Sequence, residues 1–136
     1  MRSAVLVLAA IVTACGGPMR TKTPSLERTA WIAQEIDGYA VVDRVQSTLE
    51  LGADAQAGGT GGCNRYRTSA KLGDGTIELG PIAATRMACP PAAMDQERRF
   101  FTALAGVRRY EFDRGVLVLR DADGTVRVRL ARLERS

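Results

Sequence analysis

The chain has 136 residues, 46% hydrophobic and 25% charged, with 19 Lys and Arg against 15 Asp and Glu for a formal net charge of +4. That length suits one domain burying most of its apolar surface, and the balance excludes collagenous and disordered classes. The basic residues form no run of five or six, so nucleic acid is not an expected partner, and the absence of histidine removes the commonest general base and metal ligand.

Residues 1–14 read as a leader outside the fold. Met1-Arg2-Ser3 is a short positive segment, and the apolar run from Ala4 to Val12 is too short to span a bilayer as a helix. Val12-Thr13-Ala14-Cys15 resembles a bacterial lipobox, an aliphatic residue and two small residues before cysteine. The resemblance implies cleavage before Cys15, a diacylglyceryl thioether on its sulfur and often an acyl chain such as palmitate on its new amine, enough chains for stable anchoring. A soluble secreted protein and a retained membrane helix are the alternatives. Gly16 in place of Asp points, by likeness to Gram-negative lipoproteins, to the periplasmic face of the outer membrane, with a Gram-positive surface as the other option.

Residues 15–25 then form a lipidated tether, Gly- and Pro-containing and without apolar periodicity, ahead of one folded domain over residues 26–136. Trp31 to Ile36 has strand composition with Trp31 as a core anchor, Asp37-Gly38 turns, and Tyr39 to Val42 either returns as a strand or runs on as a loop. Ser47 to Leu51 alternates. Asp54 to Ala57 is a weak strand or bend leading into Gly58-Gly59-Thr60-Gly61-Gly62-Cys63-Asn64, a density of glycine that marks tight backbone turning or close approach. Tyr66 to Leu72 and Thr76 to Leu79 form a hairpin across Gly73-Asp74-Gly75.

Pro90-Pro91 interrupts regular structure, and residues 92–105 change period: Met94, Phe101, Leu104 and Ala105 share a helix face, with Asp95, Glu97, Arg98 and Arg99 placed away from it. Asp95 and Glu97 near the start, and Arg108-Arg109 beyond Gly106, are expected to complement the helix dipole. Strands return at Tyr110 to Phe112, Val116 to Leu119 and Val126 to Leu130, separated by the turns Asp113-Arg114-Gly115 and Asp121 to Gly124. The expected fold is α+β, mostly antiparallel β: a curved sheet or incomplete barrel with one covering helix.

Cys63 and Cys89, left as an even pair once Cys15 is lipidated, are expected to bridge in an oxidising compartment, against free thiols as the alternative. Over 26 residues the chain-entropy model gives such a bridge about 3–4 kcal/mol. Catalytic readings fail on chemistry. The glycine run lacks the Lys-Ser or Lys-Thr of a phosphate loop, Asp121 to Gly124 lacks the length and closing Glu of a calcium loop, and a Ser or Thr nucleophile would have only Lys22, Lys71 or a carboxylate as base. No catalytic residue, metal or cofactor is assigned.

Gly61-Gly62-Cys63-Asn64-Arg65-Tyr66, then Ile77-Glu78-Leu79-Gly80-Pro81-Ile82 and Thr85-Arg86-Met87-Ala88-Cys89, resemble the META domain of the HslJ-like family of bacterial envelope proteins. The resemblance covers nearly all the chain after the tether. It implies a small domain of antiparallel strands and a helix associated with heat-shock and envelope stress, with no established catalytic site. On a structural reading, Asn64 tolerates a left-handed conformation and can satisfy loop backbone, Arg86 can bridge carbonyls left unpaired by the glycine bend, and Met87 fills core space. Functionally, Asn64, Arg65, Tyr66, Thr85 and Arg86 would form a shallow site suited to an anionic or peptide carboxylate group. The expected activity is therefore a non-catalytic, stress-linked module with the membrane and an envelope protein or peptide as partners. A small-ligand or peptide carrier, or an enzyme with an unrecognised site, is the alternative.

Overall fold

In the computed structural model, which describes residue 11 and residues 13–134, eight antiparallel strands close into a barrel with one helix laid across an end. Residues 1–10 and 12, on which the leader reading largely rests, lie outside the described residues. The strands are β1 (Thr29–Ile36), β2 (Tyr39–Ala40), β3 (Thr48–Leu51), β4 (Gln56–Thr60), β5 (Arg65–Gly73), β6 (Thr76–Leu79), β7 (Ala83–Ala84), β8 (Val107–Asp113), β9 (Val116–Asp121) and β10 (Val126–Arg132); the helix, α1, is Pro91–Gly106.

The ring runs β1-β3-β4-β5-β6-β8-β9-β10 and returns to β1 through Trp31↔Arg132 to Ile36↔Val128, so the expected curved sheet bends far enough to meet itself. Closure removes the open edges that would otherwise invite aggregation. β2 hangs from β1 across Asp37-Gly38, and β7 extends the β6 side of β5. The thinnest seam is β6–β8, where Thr76 pairs with Arg109 and the Tyr110 amide donates to the Gly75 carbonyl at 3.0 Å.

Alternation fills the interior: Trp31 and Ile36, Leu49 and Leu51, Tyr66 and Ala70, Leu117 and Leu119, and Val128 and Leu130 all point inward. Trp31, Leu49, Leu51, Leu117, Leu119 and Leu130 are essentially inaccessible, each contributing about 1.5–3 kcal/mol of burial. Outward charges pair locally. The Arg127 guanidinium donates to Asp37 at 2.6 Å, tying β10 to the β1–β2 turn, and Arg129 lies 3.7 Å from Glu35, its register partner on β1.

The helix opens at Pro91, where a missing N–H costs nothing, so Pro91 begins the element rather than ending one. Phe100, Ala103 and Leu104 drive into the barrel, and Gln96 and Glu97 reach the β2–β3 and β4–β5 connections at the same end. Glu97 is thus 5% exposed, not on the solvent face that its residue type suggests. Neither the first nor the last turn of α1 carries a charge complementing the dipole, since Asp95 falls at the fifth helical position and Arg108 and Arg109 belong to β8. At the opposite end, residues 23–26 cross the opening. The Thr23 amide donates to Asp74 at 2.8 Å, the Tyr110 hydroxyl donates to the Pro24 carbonyl at 2.9 Å, and Leu26 is wholly buried.

Candidate functional site

The glycine-rich segment is strand before it is turn. Gly58 and Gly59 lie inside β4, where a Cβ on Gly58 would stand 2.7 Å from the Tyr66 carbonyl and one on Gly59 2.5 Å from the Thr48 carbonyl. Gly61 and Gly62 form the β4–β5 corner, and their missing side chains let α1 sit directly on it. A Cβ on Gly61 would lie 2.8 Å from the Glu97 side chain, and one on Gly62 3.1 Å from the Ala93 carbonyl. Cys63 bonds to Cys89 across the corner with Cα atoms 5.9 Å apart, fixing the segment before α1 against the start of β5.

Beneath the disulfide lies a buried hydrogen-bond network centred on Asn64 and Glu97. One Glu97 oxygen accepts from the backbone amides of Asn64 at 2.6 Å and Cys63 at 3.2 Å; the other accepts from Asn64 Nδ2 at 2.8 Å. Asn64 Oδ1 accepts from the Met87 amide at 2.6 Å and the Thr85 hydroxyl at 3.0 Å, while Nδ2 also donates to the Met87 carbonyl at 3.4 Å. Helix, corner and incoming segment are thereby joined through two side chains. A buried carboxylate is tolerated because three N–H groups stabilise its charge.

This geometry divides the residues grouped by sequence. Asn64 turns inward, the exposed Thr85 donates its hydroxyl to it, and Asn64 is not among the residues with positive φ, so its role rests on its side chain. Tyr66 also points inward, donating from its hydroxyl to the Thr48 carbonyl at 2.7 Å against Phe100 and Phe101. Burial, and behind it the charge of Glu50, hold the Tyr66 phenol well above its ordinary range. Arg65 and Arg86 are exposed, and Arg86 does not serve the glycine carbonyls. Met87 is 57% exposed and fills no core space; with Ile82, Met94 and Phe101 it borders a shallow depression beside the corner. Cys15 is exposed with a free thiol.

The five residues divide between two concavities: Arg65, Tyr66 and Thr85 border a groove on the barrel wall, and Asn64, Thr85 and Arg86 border the depression beside the corner. Glu97, placed by its residue type on the solvent face, is the hub of the hydrogen bonds that hold the corner. Among the described residues no group of three or more Cys, Asp or Glu side chains is placed to hold a metal ion. Chemically, the corner holds three chain segments in place. Glu97 accepts from three donors of the corner itself.

Known proteins bear out the fold. A family model described as the META domain matches residues 24–134. An NMR structure of a protein from Burkholderia xenovorans superposes with a TM-score of 0.67 at 24% identity, covering 93% of this chain and all of that one. The crystal structure of a DUF4847 family protein from Bacteroides vulgatus matches with a TM-score of 0.56 at 13% identity, over 80% of this chain and 95% of that one. No curated protein matches the chain.

Proposed function

The chain belongs to the META domain family, and from that premise we propose that it is a lipid-anchored bacterial envelope protein whose barrel is a non-catalytic interaction module linked to heat-shock or envelope stress. One observation carries the non-catalytic part: the buried Asn64 and the cysteine bridge of the family motif are used inside the fold, while Arg65 and Arg86 stand exposed. Asn64 bonds to Glu97, Thr85 and Met87, and the disulfide clamps the same segments, so the motif supports a rigid scaffold instead of presenting reactive groups. The anchor is supported by the Val12-Thr13-Ala14-Cys15 sequence and by the free, exposed Cys15 thiol.

The anchor is tested by fractionation of cells expressing the full chain and Cys15→Ser. The natural chain should sediment with membranes and gain mass from its lipid, and the variant should be released. Equal membrane association of both would end the lipoprotein reading.

A further inference from the structure

On the barrel wall, adjoining the disulfide corner through Gly59, Arg65 and Thr85, a groove of about 630 Å³ runs over β3, β4, β5 and β7. Its floor is bare backbone. The outward position at the middle of β4 is Gly58, kept free of a side chain because a Cβ would stand 2.7 Å from the Tyr66 carbonyl, and the far side is edged by Ala83 and Ala84. Glu50, Gly58, Arg67 and Ala83 lie in one row across four neighbouring strands, each in register with the next. Arg65 stands two residues from Arg67 on the same outward face.

On other walls of this barrel some outward opposite charges on neighbouring strands close on each other, as Arg129 does with Glu35 at 3.7 Å and Arg120 with Glu111 at 2.7 Å, whereas the register partners Lys71 and Glu78 form no ion pair with each other. In the groove the opposite charges are held apart. Glu50 and Arg67 flank a glycine, two strand spacings or about 10 Å from backbone to backbone. None of Glu50, Arg65 and Arg67 takes part in an ion pair among the described residues. The groove therefore carries an acceptor for a cation on one wall and two guanidiniums, suited to bidentate binding of a carboxylate, on the other. We propose that this groove binds a short zwitterionic peptide of two or three residues, its ammonium group on Glu50 and its terminal carboxylate on Arg65 and Arg67. An extended peptide of that length spans roughly 7–11 Å, comparable with the spacing of the strands that carry the charges, and its backbone lies over Gly58 where no side chain intervenes. This deepens the interaction-module reading by naming a ligand class, and it does not depend on the lipid.

The test is an amide NMR titration of the disulfide-intact protein with trialanine, N-acetyl-trialanine and trialanine amide, each up to roughly 10 mM, which detects even millimolar affinity. Trialanine should shift the amides of Gly58, Arg67 and Ala84, and either blocked peptide should bind about tenfold more weakly, the loss of one charge-assisted contact. Glu50→Gln and Arg67→Gln should each weaken trialanine by a similar factor with the amide spectrum otherwise unchanged, which verifies folding. Equal binding of free and blocked peptides at this groove would overturn the zwitterion while leaving an interaction surface there. No shift at these amides with any of the three would overturn both the peptide and the use of this face.

Discussion

Truncating Glu97 to alanine strikes the point where helix, corner and disulfide segment meet. The substitution removes the acceptor of two backbone amides, Cys63 and Asn64, and of Asn64 Nδ2. The Asn64 amide belongs to a residue only 3% exposed, so leaving it unpaired costs about 1–3 kcal/mol, and the half-buried Cys63 amide adds less because water reaches it. Asn64 Nδ2 keeps the longer contact to the Met87 carbonyl, which limits the third loss. With the packing of the Glu97 methylenes against the corner, the expected destabilisation is about 3–4 kcal/mol, a large share of a domain's stability. Glu97→Gln retains one oxygen but turns an amide nitrogen towards a donor, so an intermediate loss is expected. Asp95→Ala, on the exposed face of α1, should change stability by less than about 0.5 kcal/mol. Urea unfolding of the oxidised protein, read by tryptophan fluorescence and circular dichroism, gives the differences directly when the slopes agree. A Glu97→Ala variant within about 1 kcal/mol of the natural protein would refute the claim that this network holds the corner.

Two further outcomes test the fold. Reducing Cys63–Cys89, or replacing both with alanine, should lower unfolding free energy by about 3–4 kcal/mol, seen as a lower urea midpoint with dithiothreitol; an unchanged midpoint would place the bridge outside the cooperative unit. Alkaline pH should destabilise the protein through Tyr66, whose phenol is held neutral in the fold. The unfolded chain loses that proton first, so stability is intact below about pH 10 and falls above it by up to about 1.4 kcal/mol per pH unit. Tyr66→Phe should lose the bond to the Thr48 carbonyl at neutral pH but flatten the alkaline decline, measured as unfolding free energy from pH 9 to 11.

Most of the fold was legible because its signals are periodic. The alternation of Val126, Val128 and Leu130, the two-residue turn at Asp37-Gly38 and the helical spacing of Phe101 and Leu104 all appear as strand, turn and helix. The β4 strand was hidden because glycine has no side chain with which to signal a buried face, yet side-chain absence is what lets β4 pack against β3 and β5. Glu97 was misplaced by its residue type, although its position was readable. Ala93, Glu97, Phe100 and Leu104 fall at four-, three- and four-residue steps, the spacing of a buried stripe, and all four are buried. Met87 erred in the opposite direction. Its apolar side chain suggests the core, but its backbone amide and carbonyl are what Asn64 uses, which leaves the thioether outside. Barrel closure depends on β1 meeting β10 across the length of the chain, a pairing that no local pattern encodes.

The contacts of residues 23–26 with the end of the barrel opposite α1 determine how such a molecule would be moored. Were Cys15 seated in a bilayer, residues 16–22 would be the only free line, seven residues reaching at most about 25 Å. The barrel would then ride close to the lipid with the Asp74 and Arg114 turns downward and the helix and disulfide corner turned outward. The last strand descends to that same lower end, so a reporter fused after Arg132 would be pressed towards the headgroups. The turn at Ala122-Asp123, between β9 and β10 on the upper rim, is where a label would be carried clear of the surface.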